Sequence, residues 1–314
     1  MTSSETSAAV DVAARENEMT VSVTATGRYR SEIDLELAKR YARDVHGVLD
    51  ARFPGIGMYR QHQVASRSPV RSDLFRPIPG IEQERDPTRQ LHGVALILFR
   101  DQEAHEATSS SRLLELARED NLVLTELNFH YIESEPGRGR TYLDRTGWEG
   151  TPQGPVEYPT FASFFRRQRN APREAFDAYM RALAQRWSAH EGVLRVRLDL
   201  LSDVESQFEY EPDDLVQAWI DLVLADESAA KDLIGPDDGL DHAAHVEGIQ
   251  AVEISDIFTL VFDEKPTHVG LRGWPAVQTI DEIGAHAQNN PELLELLYGP
   301  VVRGTRHVTG GHGG

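Results

Sequence analysis

Residues 41–63 contain the side chains best suited to moving protons and holding oxygen atoms in this 314-residue chain. An unperturbed imidazole titrates near pH 6.5, so His46 is a candidate general acid or base, and Tyr59 is a candidate donor to a substrate oxygen. These two form the expected catalytic pair. Tyr41, Gln61, Gln63, Arg60 and His62 form the expected substrate-binding set, with Tyr41 as a wall and the two amides orienting oxygens. The plainer alternative for His46 is a boundary histidine bonded to a carbonyl; for each tyrosine it is ordinary packing.

Elements of alternating type must position these residues. Residues 19–26 are β-rich, and residues 31–53 place Leu37, Ala38, Tyr41, Ala42, Val45 and Leu49 on one face at helical spacing, with Pro54-Gly55 as the stop. Strands are predicted at 56–64 and 92–99, a helix at 103–119 and a strand at 122–132. The order β-α-β-β-α-β then recurs, with a strand at 160–168, a helix at 172–187, strands at 193–201 and 215–224, a helix at 227–234 and a strand at 249–262. Gly55-Ile56 and Gly192-Val193 correspond at an offset of 137 residues, and Tyr41 and Tyr179 at 138, as in a tandem duplication with one deletion. Two such units without common ancestry would give the same order.

Each β-α-β-β-α-β unit carries its helices on one sheet face and leaves the other face uncovered. The predicted fold is therefore α+β: two tandem ferredoxin-like repeats forming an intramolecular α/β barrel, plus C-terminal helices. The expected divisions are a disordered start (1–18), a first repeat (19–135), a linker (136–158), a second repeat (159–265), a helical appendix (266–304) and a disordered tail (305–314). Residues 66–89 are too long for an ordinary strand connection and are expected to close as a lid over the first-repeat cleft.

The two repeats differ where they should match. Leu194, Val196, Leu198 and Leu200 alternate with Arg195, Arg197 and Asp199, so the aliphatic row should face helices. The corresponding first-repeat positions are Gly57, Tyr59, Gln61 and Gln63. Buried amides need partners, at about 1–3 kcal/mol for each one missing, so this row suits a hydrated or ligand-filled cleft. A one-residue register slip would put these side chains elsewhere. Arg60, His62, Trp219 and Asp221 should face the barrel interior.

Composition narrows the function. Lys+Arg is 32 against Asp+Glu 51, and the net charge of −19 repels phosphate backbones and anionic lipid, so neither nucleic acid nor membrane is an expected partner. With Cys at 0, thiolate nucleophiles and cysteine-ligated clusters are excluded, in agreement with a cytoplasmic location. No apolar run reaches membrane-spanning length, and the opening residues lack an apolar signal centre. P-loop, dinucleotide-binding and GxSxG motifs are absent. His242 and His245, and His130 between Phe129 and Tyr131, join no recognised metal-ligand set, so no metal is expected. The basic run 165–169 reads as a solvated strand end.

The segments ELAKRYARDVHGVLDARFPGIGMYRQHQV and, less closely, FFRRQRNAPREAFDAYMRALAQRWSAHEGVLRVRLDLL resemble the EthD branch of the dimeric α/β-barrel superfamily. The likeness rests on Val45-His46-Gly47-Val48-Leu49, then Phe53-Pro54-Gly55 and a strand; the second repeat departs from it, with Leu183 or Ala184 where His46 would fall. The resemblance implies a small aromatic or polyketide-like ligand and chemistry without an organic cofactor: dehydration, cyclisation, isomerisation or oxygenation. The expectation is thus an enzyme, as monomer or homodimer. Gly235-Pro-Asp-Asp-Gly239 matches the GxxDG of dye-decolorising peroxidases, which leaves a haem-binding barrel as one alternative. A non-catalytic small-ligand-binding barrel is the other.

Overall fold

The computed structural model describes residues 11–66, 70–84, 86, 89–148, 152–235, 239–270, 279–280, 282–285 and 292–293. It opens with helix α1 (Val12–Glu18) and strand β1 (Val21–Tyr29). Next, α2 (Leu35–Tyr41), a π-helical turn (Ala42–His46) and α3 (Gly47–Asp50) form one bent helical segment. Then come β2 (Ile56–Val64), β3 (Glu82–Gln83), β4 (Gly93–Phe99), α4 (Gln102–Ser109), α5 (Arg112–Leu124) and β5 (Thr125–Glu133). The second half contains β6 (Gly139–Asp144), β7 (Gln153–Arg167), α6 (Arg173–Ser188), β8 (Val193–Leu200), β9 (Asp203–Glu205) and β10 (Ala218–Leu224). It ends with the short helices α7 (Ala230–Leu233) and α8 (His242–His245) and the long strand β11 (Val246–Phe262).

Strand pairing gives one mixed α+β architecture built on a large sheet, in the order β6-β8-β10-β7-β11-β2-β4-β1-β5-β9. Every pair on this path is antiparallel. Within it β2-β4-β1-β5 and β8-β10-β7-β11 show the same order, second-third-first-fourth, and β11 joins β2 across the seam. The path ends at β6 and β9 and does not return on itself, so the sheet is open where a closed barrel was expected. One apolar cluster nevertheless draws Leu96, Leu98 and Phe129 from the first quartet together with Phe164, Trp219 and Val252 from the second.

A buried charge network joins the quartets on this inner side. Glu16 of α1 accepts from Arg60 of β2 at 2.8 Å and from Arg195 of β8 at 2.8 Å, and all three side chains are fully buried. Arg195 also pairs with Asp221 of β10 at 2.7 Å, and the Trp148 ring lies against both guanidinium groups. The segment 12–18, expected to be disordered, is therefore helical for a definite reason: it delivers the carboxylate that two interior arginines require. Asp11 caps it, accepting from the amide of Ala14 at 3.0 Å.

Two further expectations change. The supposed linker contains β6 and the start of β7. The 66–89 segment carries Leu74, Phe75 and Ile78 into the second-repeat core beside Trp187, and Val70 bridges Val252 of β11, so it covers the second repeat and is no lid over the first. These apolar anchors decide where the loop settles. In the appendix, Ile280 and Ala285 pack with Ala38 and Tyr41, while the tail 305–314 lies outside the described residues. Among the described residues no helix is long and apolar enough to cross a membrane.

Burial works against the Glu16 charge, but Arg195, Arg60 and Arg197 outweigh it and hold its carboxyl at about 2. Glu16→Gln leaves two interior guanidinium groups short of an anion, which should cost about 3–5 kcal/mol of unfolding free energy in urea titrations. The exposed Glu18→Gln should stay within about 0.5 kcal/mol of the parent. A Glu16 variant as stable as the Glu18 variant would contradict this account of α1.

Candidate functional site

In the first repeat the helical layer meets the sheet only in part, through an apolar cluster of Leu49, Leu116 and Ala117 with Val21, Val23 and Phe99. Between the two layers lies a cavity of ≈ 410 Å³. Its floor is made by residues that share one face of four strands: Tyr59, Gln61 and Gln63 on β2, Ala95 on β4, Ala25 on β1 and His130 on β5. Its roof comes from the bent α2–α3 segment and from α5, through Ala42, His46 and Asp50 on one side and Ala117 and Asn121 on the other. Small residues open the space, since Ala25 and Ala95 are directly paired across β1 and β4 and end at Cβ.

The second repeat shows the same layer filled. Val196, Leu198 and Leu200 of β8 meet Phe176, Met180, Leu183 and Trp187 of α6 in a continuous apolar cluster. Leu198 occupies the place of Gln61 at the offset of 137. Buried polar groups need specific partners whereas aliphatic ones need only volume, and the first repeat meets the first requirement with a chain of side chains around the cavity.

That chain begins behind the roof. The Tyr41 hydroxyl donates to Asp120 of α5, and the other Asp120 oxygen meets His46 Nδ1 at 2.8 Å. His46 Nε2 stands 3.3 Å from Asp50, four residues on, and the Tyr59 hydroxyl donates to the same Asp50 oxygen at 3.3 Å. Gln61 Nε2 donates to the Tyr59 hydroxyl at 2.6 Å and to the Ala42 carbonyl at 2.9 Å. The Ala42 carbonyl fixes the amide's orientation, because a flipped amide would set two oxygens face to face. Gln61 Oε1 is left buried without a partner. Gln63 donates its amide to the Lys39 carbonyl at 2.9 Å.

The π-helical turn sets this geometry. Its extra residue rotates His46 relative to a regular helix, a distortion common at functional sites. The following Gly47 lets β2 approach, since a Cβ there would sit 2.6 Å from Gln61 Nε2 and 2.6 Å from a Leu260 methyl. Such spacing excludes any larger residue without displacement of the Gln61 amide.

Charge is distributed unevenly around the cavity. Burial pulls the His46 imidazolium pKa down, but Asp50 and Asp120 outweigh it and raise it to about 9. Burial pushes the Asp50 carboxyl up, and burial with the Asp50 charge pushes the Tyr59 phenol well above its ordinary value. His130 goes the opposite way: burial, then the positive charge of His46 and Arg118, pushes it down to about 4. At neutral pH, His46 is therefore a cation that can give a proton, and His130 is a neutral imidazole that can take one.

Of the residues singled out in the sequence, His46, Tyr59, Gln61 and Gln63 come together around the cavity. Tyr41 does not form its wall; it is fully buried behind Asp120 and acts through it. The side chains of Arg60 and His62 are on the other side of the sheet, where Arg60 meets Glu16 and His62 lies 3.5 Å from Asp221 and edge-on to Trp219. Strand alternation puts both side chains there; Arg60 does not line the cavity, whereas His62 is among the residues that border it. Asp50, Asp120 and His130 were not recognised as members of the site. Asp50 carried a signal, its four-residue spacing from His46, and Asp120 another, as an acid on the face of α5 that also presents Leu116 and Leu124.

No protein-family model and no curated protein matches the chain. Solved structures do. One is described as "Putative monooxygenase" from Fusobacterium nucleatum, with a TM-score of 0.40 and 7% identity over 79% of this chain and 96% of its own. A second "putative monooxygenase", from Lactobacillus acidophilus, gives 0.39 and 8% over 77% and 97%, and an "anthrone oxidase-like protein" gives 0.44 and 12% over 78% and 94%. At these values they assign this chain no reaction. Among the described residues no group of three or more His, Cys, Asp or Glu is placed to hold a metal ion. The Gly235–Gly239 turn considered for haem falls partly outside the described residues, at 236–238.

Because the folded-state pKa of His46 is raised from 6.5 to about 9, its stabilising contribution is complete below about pH 6.5 and is lost as pH rises through about 9. Linkage puts this at on the order of 3 kcal/mol. Unfolding free energy measured from pH 6 to 10 should fall across that window in the parent protein and stay nearly level in His46→Gln. A level curve in both would show that the buried imidazole is not charged.

Proposed function

We propose that this chain is a small-molecule enzyme that moves protons on a largely apolar, oxygen-bearing substrate held in the first-repeat cavity. The observation carrying this reading is the unequal filling of the two repeats: ≈ 410 Å³ of space ringed by a chain of polar side chains in one, close-packed aliphatics in the other. That volume lies within the roughly 300–1,000 Å³ usual for small-ligand sites. His46 is the catalytic cation, able to hold or donate a proton at a developing oxyanion; Tyr59 and Asp50 set its surroundings. Gln61 Oε1, with no partner of its own, accepts from a substrate hydroxyl.

This chemistry fits dehydration, cyclisation or isomerisation, and also cofactor-free oxygenation, in which a deprotonated aromatic substrate itself reduces dioxygen. The EthD-like motif around His46 points the same way. On this reading the two quartets are halves of one barrel, supported by their shared apolar cluster and by the pairing of β9, which follows β8, with β5. One observation favours a non-catalytic ligand-binding barrel: both His46 nitrogens already face carboxylates.

Ala95→Phe should fill the floor and weaken binding of 2-naphthol, a flat hydroxylated probe, at least tenfold by fluorescence titration while leaving the circular dichroism unchanged. Equal binding by both proteins would place the ligand elsewhere. With a turned-over substrate, His46→Ala combined with Tyr59→Phe should abolish activity, and unchanged turnover would remove the catalytic assignment of these two residues. Oxygen uptake by metal-free protein separates oxygenation from lyase or isomerase chemistry.

A further inference from the structure

His130 stands at the far end of the cavity floor from this polar chain. The register across four strands reads Gln61, Ala95, Ala25, His130. At a strand spacing of about 4.8 Å, the outer two Cα atoms are roughly 14 Å apart, with only two methyl groups between them. The corresponding row of the second repeat, Leu198, Ile220, Ser163 and Ala251, has neither polar end. Among the described residues the His130 ring has no hydrogen-bond or ion-pair partner. The charged groups around it are His46 from the roof, Arg118 from α5, and Glu205 from β9, which pairs with Arg118 at 2.7 Å. Glu205 is drawn to Arg118, and burial with the charges of His46 and Arg118 disfavours a charged His130, so the ring is kept as a free base inside the cavity.

We propose that His130 is a second catalytic residue of this cavity, the proton acceptor for a flat two- or three-ring ketone or phenol whose oxygen lies at the Gln61–Tyr59–His46 end. The proposal rests on the reading of the cavity as a small-molecule site. For a ketone, the C–H bond beside the carbonyl breaks and its proton goes to a ring nitrogen of His130. The bonding pair becomes the C=C of the enol, and His46 delivers a proton to the oxygen. The enol hydroxyl then donates to Gln61 Oε1, the acceptor that otherwise has no partner. Return of the hydroxyl proton to His46 and of a proton from His130 to the same carbon regenerates the ketone with that hydrogen exchanged and restores both rings; where a β,γ double bond makes the enol a dienol, return to its γ-carbon instead moves the double bond into conjugation, with no oxidant or reductant consumed in either case. Two groups of one type with pKa values driven apart in a single site are the usual arrangement for an acid and its partner base.

The test uses 2-tetralone in deuterium oxide, with loss of its C1 proton signal followed by NMR, and 2-naphthol, which resembles its enol, as the binding probe. The parent protein should accelerate exchange over buffer. His130→Gln and His130→Asn should lower that rate at least 100-fold, within the range for removal of a general base, while 2-naphthol affinity stays within about threefold. Exchange at the parental rate in either folded variant would overturn the proposal. So would a parent that binds 2-naphthol without accelerating exchange, an outcome that leaves the cavity reading intact. Absence of 2-naphthol binding by the parent would instead defeat the cavity reading and the proposal with it. The parental pH profile is independent of any variant's folding: a rising limb set by a group titrating near 4 supports His130, and one set near 9 assigns the base to His46 and overturns the proposal.

Discussion

Strand β2 is buried along its whole length yet carries polar side chains on both faces, and most of the surrounding structure follows from satisfying them. Tyr59, Gln61 and Gln63 point to the helical layer; Arg60 and His62 point to the inner side. An unpartnered buried polar group costs about 1–3 kcal/mol, and an unpaired charge costs more, so neither face can be closed by apolar packing alone. On one side the answer is a bent helix offering the Lys39 and Ala42 carbonyls. On the other it is a separate helix, α1, together with Asp221 from the second repeat. The same strand thus ties the two quartets together and lines the cavity.

The repeats share one strand order and differ in how the space above the sheet is used. Trp187 and its aliphatic neighbours make the second repeat a close-packed core in which a lost methylene would be felt at once. The first repeat keeps that contact only in part, where Leu49, Leu116 and Ala117 meet Val21, Val23 and Phe99. Ala25 and Ala95 leave the floor low, and the helices are held off it by Tyr59 and Gln61 hydrogen bonded upward to Asp50 and Ala42. Division of labour between copies reconciles a stable sheet with an open site: the filled repeat, reinforced by Leu74, Phe75 and Ile78 from the long 66–89 segment, supplies the burial that the hollow one lacks.

Alternation and contrast made much of this legible in the sequence. The even-numbered aliphatics of 194–200 set against Tyr59, Gln61 and Gln63 located the hollow layer, because a strand's period of two assigns faces without any knowledge of tertiary structure. What escaped depended on partners distant in sequence. Nothing local distinguishes Glu16 from its acidic neighbours, and only Arg60 and Arg195 make it interior. The π-helical turn was invisible because residues 42–46 keep an amphipathic spacing; one inserted residue shifts a helix face only slightly. His130 read as one member of an aromatic strand, since its alternation with Phe129 and Tyr131 does not reveal which face holds a cavity. The 66–89 segment was misplaced because its length suggested a lid, whereas Leu74, Phe75 and Ile78 determined its seat.

Electrostatics link the two histidines more tightly than their separation along the floor suggests. In a space lined mainly by apolar groups, a charge is felt over longer distances than in water, so an imidazolium at His46 makes a second one at His130 less favourable. The carboxylates that fix the first charge, Asp50 and Asp120, lie on the His46 side and give His130 no compensating anion. Arg118 adds to the penalty, and its pairing with Glu205 removes the acid best placed to relieve it. Anchoring one proton at His46 through Asp120 and Tyr41 therefore also keeps the opposite ring neutral. Asp120, held by Tyr41, thereby adds to Asp50 in fixing the proton at His46, and that charge adds to burial in keeping His130 neutral.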